Sequence, residues 1–278
     1  MPQHRFAQVD VFSSTPFLGN PVAVVLDADG IGDDDMQRIA RWTNLSETTF
    51  VLPPTRDGAD YRLRIFTPGG ELPFAGHPTL GSAAAWLHAG GEPAGDDVVQ
   101  ECGAGLVRIR RSGGILSFEA PPTVRSGAID EDEVDAIAAA FGIERAAIVD
   151  HQWIDNGPGW CIVRLDSADE VLALEPDLSR IPDAMVGAIG AYPEGSPHAF
   201  ELRAFAPGVG VPEDPVCGSM NASAAQWMTG AGVASAPYTV SQGARLQRAG
   251  EIAISTDAAG AVWVGGACTV AIEGTIGV

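Results

Sequence analysis

The stretch RIFTPGGELPFAGHPTLGSAAAW, residues 64–86, decides the fold because the chain contains it twice. The second copy, residues 203–227, is RAFAPGVGVPEDPVCGSMNASAAQW, and its segment EDPVCGS (213–219) aligns with ELPFAGH (71–77) without a gap. Each copy is typical of an apolar strand, a turn rich in Pro and Gly, and a glycine followed by a helix of small residues. Two such helix starts predict two helix N-termini that face a shared site.

Other landmarks recur in the same order in both halves, which predicts an ancient duplication. Asn156-Gly157-Pro158 and the strand after it correspond to Gly19-Asn20-Pro21, and each half ends in a hairpin. The pattern favours two similar α+β domains, each built around its small-residue helix. In the first copy that helix is predicted over residues 78–89, with a proline in its first turn.

Length and composition indicate a globular protein with two domains of ordinary size or one large domain. The chain has 278 residues, of which 46% are hydrophobic and 19% charged. No window approaches the roughly 18 uninterrupted apolar residues that a membrane-spanning helix needs. The sequence begins with MPQHRFAQVDVF, which lacks the apolar region of a signal peptide. We therefore expect a cytoplasmic protein.

The charge excludes several classes of function. The formal net charge is −20, and all 16 basic residues are arginine, so nucleic acid and anionic membranes are poor partners. Without lysine there is no Schiff base and no P-loop lysine. The four cysteines are far apart without a CxxC motif, and the five histidines include no HxxxH pair. We expect neither a disulfide framework nor a metal site.

Positions at which the two copies differ are candidates for chemistry. Glu71 and Glu213 match, which favours structural carboxylates that cap nearby backbone. The helix starts also match, and exposed amides at such a glycine bind a carboxylate or oxyanion well. The pairs that differ are Leu72 with Asp214, Ala75 with Cys217, and His77 with Ser219; the matching helix starts are Gly76 and Gly218.

Glu47 places a carboxylate at the start of an apolar strand, in the segment NLSETTF (44–50). The corresponding region of the second half, near residues 185–192, has no acidic residue. On spacing alone we favour an ordinary solvated strand-edge residue. In an apolar cleft, however, the charged form is disfavoured and the pKa rises toward neutrality, which suits proton transfer at carbon. Spacing leaves both interpretations open.

Four motifs together identify a family resemblance. The segments GNPVAVV (19–25), NLSETTFVLP (44–53), FTPGGELPFAGHPTLG (66–81) and EDPVCGS (213–219) resemble the PhzF-like phenazine-biosynthesis isomerases, whose fold is that of diaminopimelate epimerase. The resemblance implies an α+β fold of two pseudo-symmetric domains, each a barrel-like, mostly antiparallel or mixed sheet around a central helix. We place these domains at residues 1–122 and 123–278, with a last strand near 268–278 that can return to the first domain.

The resemblance also implies a reaction and a site. The reaction is cofactor-free proton transfer on a small carboxylate-bearing substrate, as in trans-2,3-dihydro-3-hydroxyanthranilate isomerase, in a cleft between the domains of a homodimer. By motif, the acid/base glutamate falls on Glu47, with catalytic partners His77, Asp214 and Ser219. The residues expected to bind substrate are Asn20, Gly76, Cys217 and Gly218.

Two alternatives remain at this point. An epimerase or dehydratase on the same scaffold could use Cys217 with Glu47, since a thiol at a helix N-terminus has a lowered pKa. A two-thiol racemase is excluded because Ala75 occupies the first thiol position, and we favour a buried, apolar role for Cys217. The other alternative is a metabolite-binding protein that catalyses no reaction.

Overall fold

The computed structural model describes residues 1–278, which divide into two compact units. The first unit comprises residues 1–119 and 265–278, and the second comprises residues 120–264. None of the helices has the length and apolar character that crossing a membrane requires.

Seventeen strands and five α-helices make up the two units. The first unit contains β1 (Gln3–Val11), β2 (Asn20–Val25), α1 (Asp33–Thr43), β3 (Thr48–Leu52), β4 (Tyr61–Phe66), β5 (Glu71–Leu72), α2 (Gly76–His88), β6 (Val98–Cys102), β7 (Gly105–Ser112) and β8 (Ile115–Glu119). The second contains β9 (Arg125–Gly127), α3 (Glu131–Phe141), β10 (Asp150–Asp155), β11 (Cys161–Arg164), α4 (Ala168–Ala173), β12 (Val186–Ala191), β13 (Phe200–Ala206), β14 (Val211–Asp214), α5 (Gly218–Gly230), β15 (Tyr238–Gln242) and β16 (Gly250–Thr256). Strand β17 (Val262–Gly277) begins in the second unit and belongs to the first from Gly265 onward.

Eight strands of the first unit form a closed barrel. Strand β1 pairs with β2, and the ladder continues through β3, β4, β6, β7 and β8 to β17, which pairs with β1 again. The pairs β2–β3 and β4–β6 are parallel, whereas β1–β2, β3–β4, β6–β7 and β7–β8 are antiparallel. Closure leaves the barrel without a free edge.

The second unit repeats this arrangement. Its strands pair in the order β10, β11, β12, β13, β15 and β16, and the parallel pairs β11–β12 and β13–β15 occupy the same places in that order. Thr48, the first residue of β3, pairs with Phe66 of β4. In the second unit Val186, the first residue of β12, pairs with Phe205 of β13 in the same way. Glu47, one residue before β3, therefore corresponds to Met185. The prediction of two similar α+β halves is confirmed.

Helix α2 is enclosed by the strands of the first unit. Nine of its residues are buried, from Gly76 to Ala83 and Ala85, and it contacts β1, β2, β3 and β8. Burial around the whole helix requires small side chains, because strands approach it from several directions. The helix starts at Gly76, two residues before the predicted start at Pro78. Pro78 is tolerated there because the first amides of a helix have no intrahelical acceptor.

Gly81 shows how closely α2 is packed, and it gives a stability prediction. A Cβ added at Gly81 would lie 2.9 Å from Val11 Cγ2 and closer still to Val22 Cγ1. We expect Gly81→Ala to lower the free energy of unfolding by about 1–3 kcal/mol through overpacking. Urea unfolding followed by circular dichroism measures this change.

The control for that prediction is Gly230→Ala in α5. An added Cβ at Gly230 meets no atom within 4 Å, so this helical replacement is expected to leave stability unchanged or slightly higher. Equal effects of the two replacements would contradict the tight enclosure of α2.

Candidate functional site

Glu47 and His77 lie side by side in the first unit. Glu47 immediately precedes β3, and His77 is the second residue of α2. Their atoms Oε2 and Nε2 are 3.3 Å apart, and the side chains are only 14% and 6% exposed. We call Glu47, Gly76 and His77 the first-unit cluster. The alternative of a solvated edge residue for Glu47 is wrong, because its side chain is largely buried.

The protonation state of His77 follows from its surroundings. Its ring is hydrogen-bonded to the Pro21 backbone, where only a carbonyl oxygen is available, while Nε2 makes no hydrogen bond. The hydrogen is therefore on Nδ1. Burial lowers the pKa of His77 to about 3, so the ring is neutral at ordinary pH. A lone pair on Nε2 then faces Glu47, and a proton on the Glu47 carboxyl can be shared with it.

The turn before β2 leads into Pro21, whose backbone binds His77. Asn20 is buried at the start of β2, and the preceding Gly19 amide donates to Asp10 Oδ2 over 2.9 Å. A Cβ at Gly19 would lie 3.1 Å from Asp10 Oδ1 and would also clash with the Val11 carbonyl. Glycine is therefore required at this position. Asp10 was not predicted, because nothing in a single strand marks a carboxylate that binds a distant turn.

Asp214, Cys217, Gly218 and Ser219 form the second-unit cluster, at the end of β14 and the start of α5. Asp214 Oδ1 accepts a hydrogen bond from the Val216 amide over 3.1 Å. The Cys217 Sγ and Ser219 Oγ atoms are 3.5 Å apart. Burial raises the pKa of Asp214 to about 6, so this carboxyl titrates close to neutral pH.

Burial also determines the state of Cys217. It raises the pKa of the thiol well above its usual range, and the nearby Asp214 carboxylate raises it further. The helix N-terminus was expected to lower this pKa if the residue acted as a thiolate. Burial acts in the opposite direction and outweighs the hydrogen bonds with Ser219 and the Met220 backbone, which lower the pKa.

Two further residues hold Ser219. The indole Nε1 of Trp160 donates to Ser219 Oγ over 2.9 Å, and Asn156 Nδ2 donates to the Ser219 carbonyl over 3.1 Å. Both lie in the NGPGW segment (156–160), which the sequence marked as a landmark of the duplication but not as part of a site.

Glu71 and Glu213 are structural, but their partners differ from the prediction. Instead of capping backbone, Glu71 binds Arg64 through two hydrogen bonds of 2.8 and 2.7 Å. Glu213 binds Arg203 in the same way, with two bonds of 2.9 Å. The guanidinium fork matches a carboxylate better than single amides do. These arginines are thereby occupied by structural partners.

Each cluster includes the N-terminus of one helix. Gly76 and Gly218 are the first residues of α2 and α5, and both are buried. The first amides of an α-helix lack intrahelical acceptors and carry the positive end of the dipole, so they suit an anionic group. No three His, Cys, Asp or Glu side chains are arranged to hold a metal ion.

The low pKa of His77 makes stability depend on pH. Below about pH 6.5 the unfolded chain protonates this histidine while the folded chain does not, until the pH approaches 3. This residue alone therefore lowers the free energy of unfolding by up to about 1.4 kcal/mol per pH unit as the pH falls through that range. Replacement by His77→Asn is expected to remove this part of the slope in urea unfolding between pH 6 and pH 4.

The exposed His88, in the last turn of the same helix, provides the control replacement His88→Asn. Parallel stability curves for the wild type and His77→Asn would show that His77 is not held neutral by burial.

Comparisons with known proteins place the chain in a family. A sequence model described as "Phenazine biosynthesis-like protein" (PhzC-PhzF) matches residues 9–274. Antisense-enhancing sequence 1 of Schizosaccharomyces pombe is 40% identical, with 99% of each chain covered. The trans-2,3-dihydro-3-hydroxyanthranilate isomerase of Pseudomonas aeruginosa is 37% identical, with 78% of this chain and 76% of that protein covered.

Solved structures agree in fold. A PhzF-family protein of Enterococcus faecalis superposes with a TM-score of 0.83 at 24% identity, with both chains fully covered. A probable proline racemase of Agrobacterium radiobacter gives a TM-score of 0.62 at 14% identity, with 99% of this chain and 93% of that chain covered. At these identities the structural similarity shows the fold alone. That fold is also found in the probable proline racemase. From its match over nearly the whole sequence and its relatives named as isomerases, the chain belongs to the phenazine biosynthesis-like (PhzC-PhzF) family and is an isomerase.

Proposed function

We propose that this isomerase moves a proton between two carbon atoms of a small carboxylate-bearing substrate without a cofactor. Its substrate is then similar to trans-2,3-dihydro-3-hydroxyanthranilate, the compound in the name of the P. aeruginosa relative. The observation that carries the proposal is the Glu47–His77 contact of 3.3 Å, in which a buried carboxyl faces a neutral imidazole. Such a pair can take up one proton and return it.

In the proposed reaction, Glu47 removes a proton from one carbon of the substrate, so that a C–H bond breaks and an O–H bond forms. The electron pair left on the substrate spreads toward its unsaturated neighbours. Glu47 then returns the proton to a different carbon, and the net change is the position of one hydrogen. Nothing is oxidised or reduced. His77 Nε2 stabilises the protonated form of Glu47 by accepting a hydrogen bond from it.

The second-unit cluster supplies recognition in this proposal. The Ser219 hydroxyl and the first amides of α5 bind the substrate carboxylate and the charge that develops during the reaction. Asp214, with a pKa near 6, orients the substrate or relays a proton. We further propose that Asn20 and Cys217 shape the pocket, and that the protein is a cytoplasmic homodimer with no nucleic-acid or membrane partner.

A direct test incubates the protein in heavy water with trans-2,3-dihydro-3-hydroxyanthranilate and with a panel of other small unsaturated carboxylates. Mass spectrometry and NMR then report deuterium at carbon and the position of the double bonds. Isomerisation with deuterium incorporation on at least one compound supports the proposal. Binding without exchange on every compound would instead favour the metabolite-binding alternative.

Replacing the base tests its role. Glu47→Gln keeps the size and the buried position but cannot take up a proton, so we expect the exchange rate to fall by about 10²–10⁴-fold. Substrate affinity, measured by calorimetry, should change little. The matched control is Glu71→Gln, because Glu71 binds Arg64 and has no assigned role in the reaction. Exchange at the wild-type rate in Glu47→Gln would rule out the mechanism.

The thiol alternative has its own test. Cys217→Ala should retain kcat/KM within about tenfold, because burial keeps the thiol protonated and the first copy already has Ala75 at this position. Steady-state kinetics and alkylation of Cys217 with and without substrate provide the measurements. A loss beyond a thousandfold, with substrate protection against alkylation, would instead establish a cysteine-dependent epimerase or dehydratase.

A further inference from the structure

A buried glutamine outside the four sequence motifs lies against the second-unit cluster. Gln242 is the last residue of β15 and is 1% exposed. Its Oε1 accepts hydrogen bonds from the Cys217 amide over 3.0 Å and from Asn221 Nδ2 over 2.9 Å. Its Nε2 donates to the Asp214 carbonyl over 2.9 Å. One side chain thus binds the backbone on both sides of Pro215-Val216.

The orientation of this amide is fixed by its partners. The Cys217 amide can only donate and the Asp214 carbonyl can only accept, so Oε1 must face the first and Nε2 the second. Asn221 adds a link, because its Nδ2 also donates to the Cys217 carbonyl over 2.9 Å. Because the network is buried, loss of one partner leaves other polar groups unsatisfied.

We propose that Gln242 is a positioning residue of the isomerase site. It holds the turn between β14 and α5 so that Asp214 and the first amides of α5 keep the geometry the reaction needs. By accepting from the Cys217 amide, it satisfies that group internally and leaves the next amides, of Gly218 and Ser219, for a substrate anion. This inference rests on the proposed function, in which these amides bind the substrate.

The first unit contains the equivalent glutamine with a different set of partners. Gln100 lies in β6, whose parallel pairing with β4 corresponds to that of β15 with β13. Its Oε1 accepts from the Tyr61 hydroxyl and its Nε2 donates to Thr79 Oγ1, both over 3.0 Å. Thr79 and Asn221 are each the fourth residue of their helix. The Gln100 side chain therefore binds other side chains, one of them on α2. The Gln242 side chain instead binds the backbone of the turn between β14 and α5.

This difference provides a matched pair of variants, Gln242→Met and Gln100→Met. Methionine fills a similar volume but cannot replace the hydrogen bonds, so both variants should lose thermal stability. For Gln242→Met we expect kcat to fall by about 10–100-fold, the effect of a small misplacement of reacting groups, while KM changes by less than about threefold. For Gln100→Met we expect kcat within threefold of the wild type. Equal losses of kcat in both variants would overturn the proposal.

A second readout is independent of turnover. Release of the turn exposes Cys217, which is buried in the wild type, so its alkylation should be at least tenfold faster in Gln242→Met than in Gln100→Met. If no carboxylate is turned over by the wild type, the proposed function fails while this rate still tests Gln242. Alkylation at equal rates would show that Gln242 does not hold the turn.

If Gln242→Met does not fold, Gln242→Glu provides the same test at constant size. It keeps the acceptor for the Cys217 amide and removes the donor to the Asp214 carbonyl. We expect a fall in kcat and a rise in the Cys217 alkylation rate, both in the same direction as for methionine. Wild-type values of both quantities in Gln242→Glu would overturn the proposal.

Discussion

Enclosure of a helix by strands on several sides is the constraint on which the rest of the structure depends. A helix in that position must be built from small residues, and the space at Gly81 is too small for even a methyl group. Its ends have to be placed where their free backbone groups find partners. The start of α2 at Gly76, and by the same logic that of α5 at Gly218, is therefore fixed by packing before any chemistry is added.

Comparison of the two units distinguishes the structural features that both share from the side chains that can take part in chemistry. Both units keep the glycine start, the arginine–glutamate pair before it and a buried glutamine beside it. The two units differ in the side chains at the equivalent positions around these shared features. The first unit carries Glu47 and His77 where the second carries Met185 and Ser219, and the second carries Asp214 where the first carries Leu72.

Much of the fold and the motif residues of the site could be predicted from local patterns, since strand alternation, turns and motifs are properties of short segments. The duplication and the cluster residues Glu47, His77, Asp214 and Ser219 came from such segments. Trp160, Asn156 and Gln242 could not be found in this way, because the loop between β10 and β11 and the end of β15 meet Ser219 and Cys217 only in the folded chain. The buried, apolar role that the sequence favours for Cys217 agrees with its 4% exposure, whereas the lowered pKa belongs only to the thiol alternative.

Burial has the same electrostatic consequence for His77, Asp214 and Cys217: it favours the neutral form of each of these groups. The pKa of His77 falls to about 3 and that of Asp214 rises to about 6. A chain with a net charge of −20 repels an anion at long range, so an anionic substrate needs a site with little local negative charge. A substrate carboxylate placed near Asp214 would raise that pKa further, since like charges disfavour each other's ionisation. Binding of the anion and protonation of Asp214 would then reinforce each other, and the helix amides would bind the substrate with less competition from the protein's own charge.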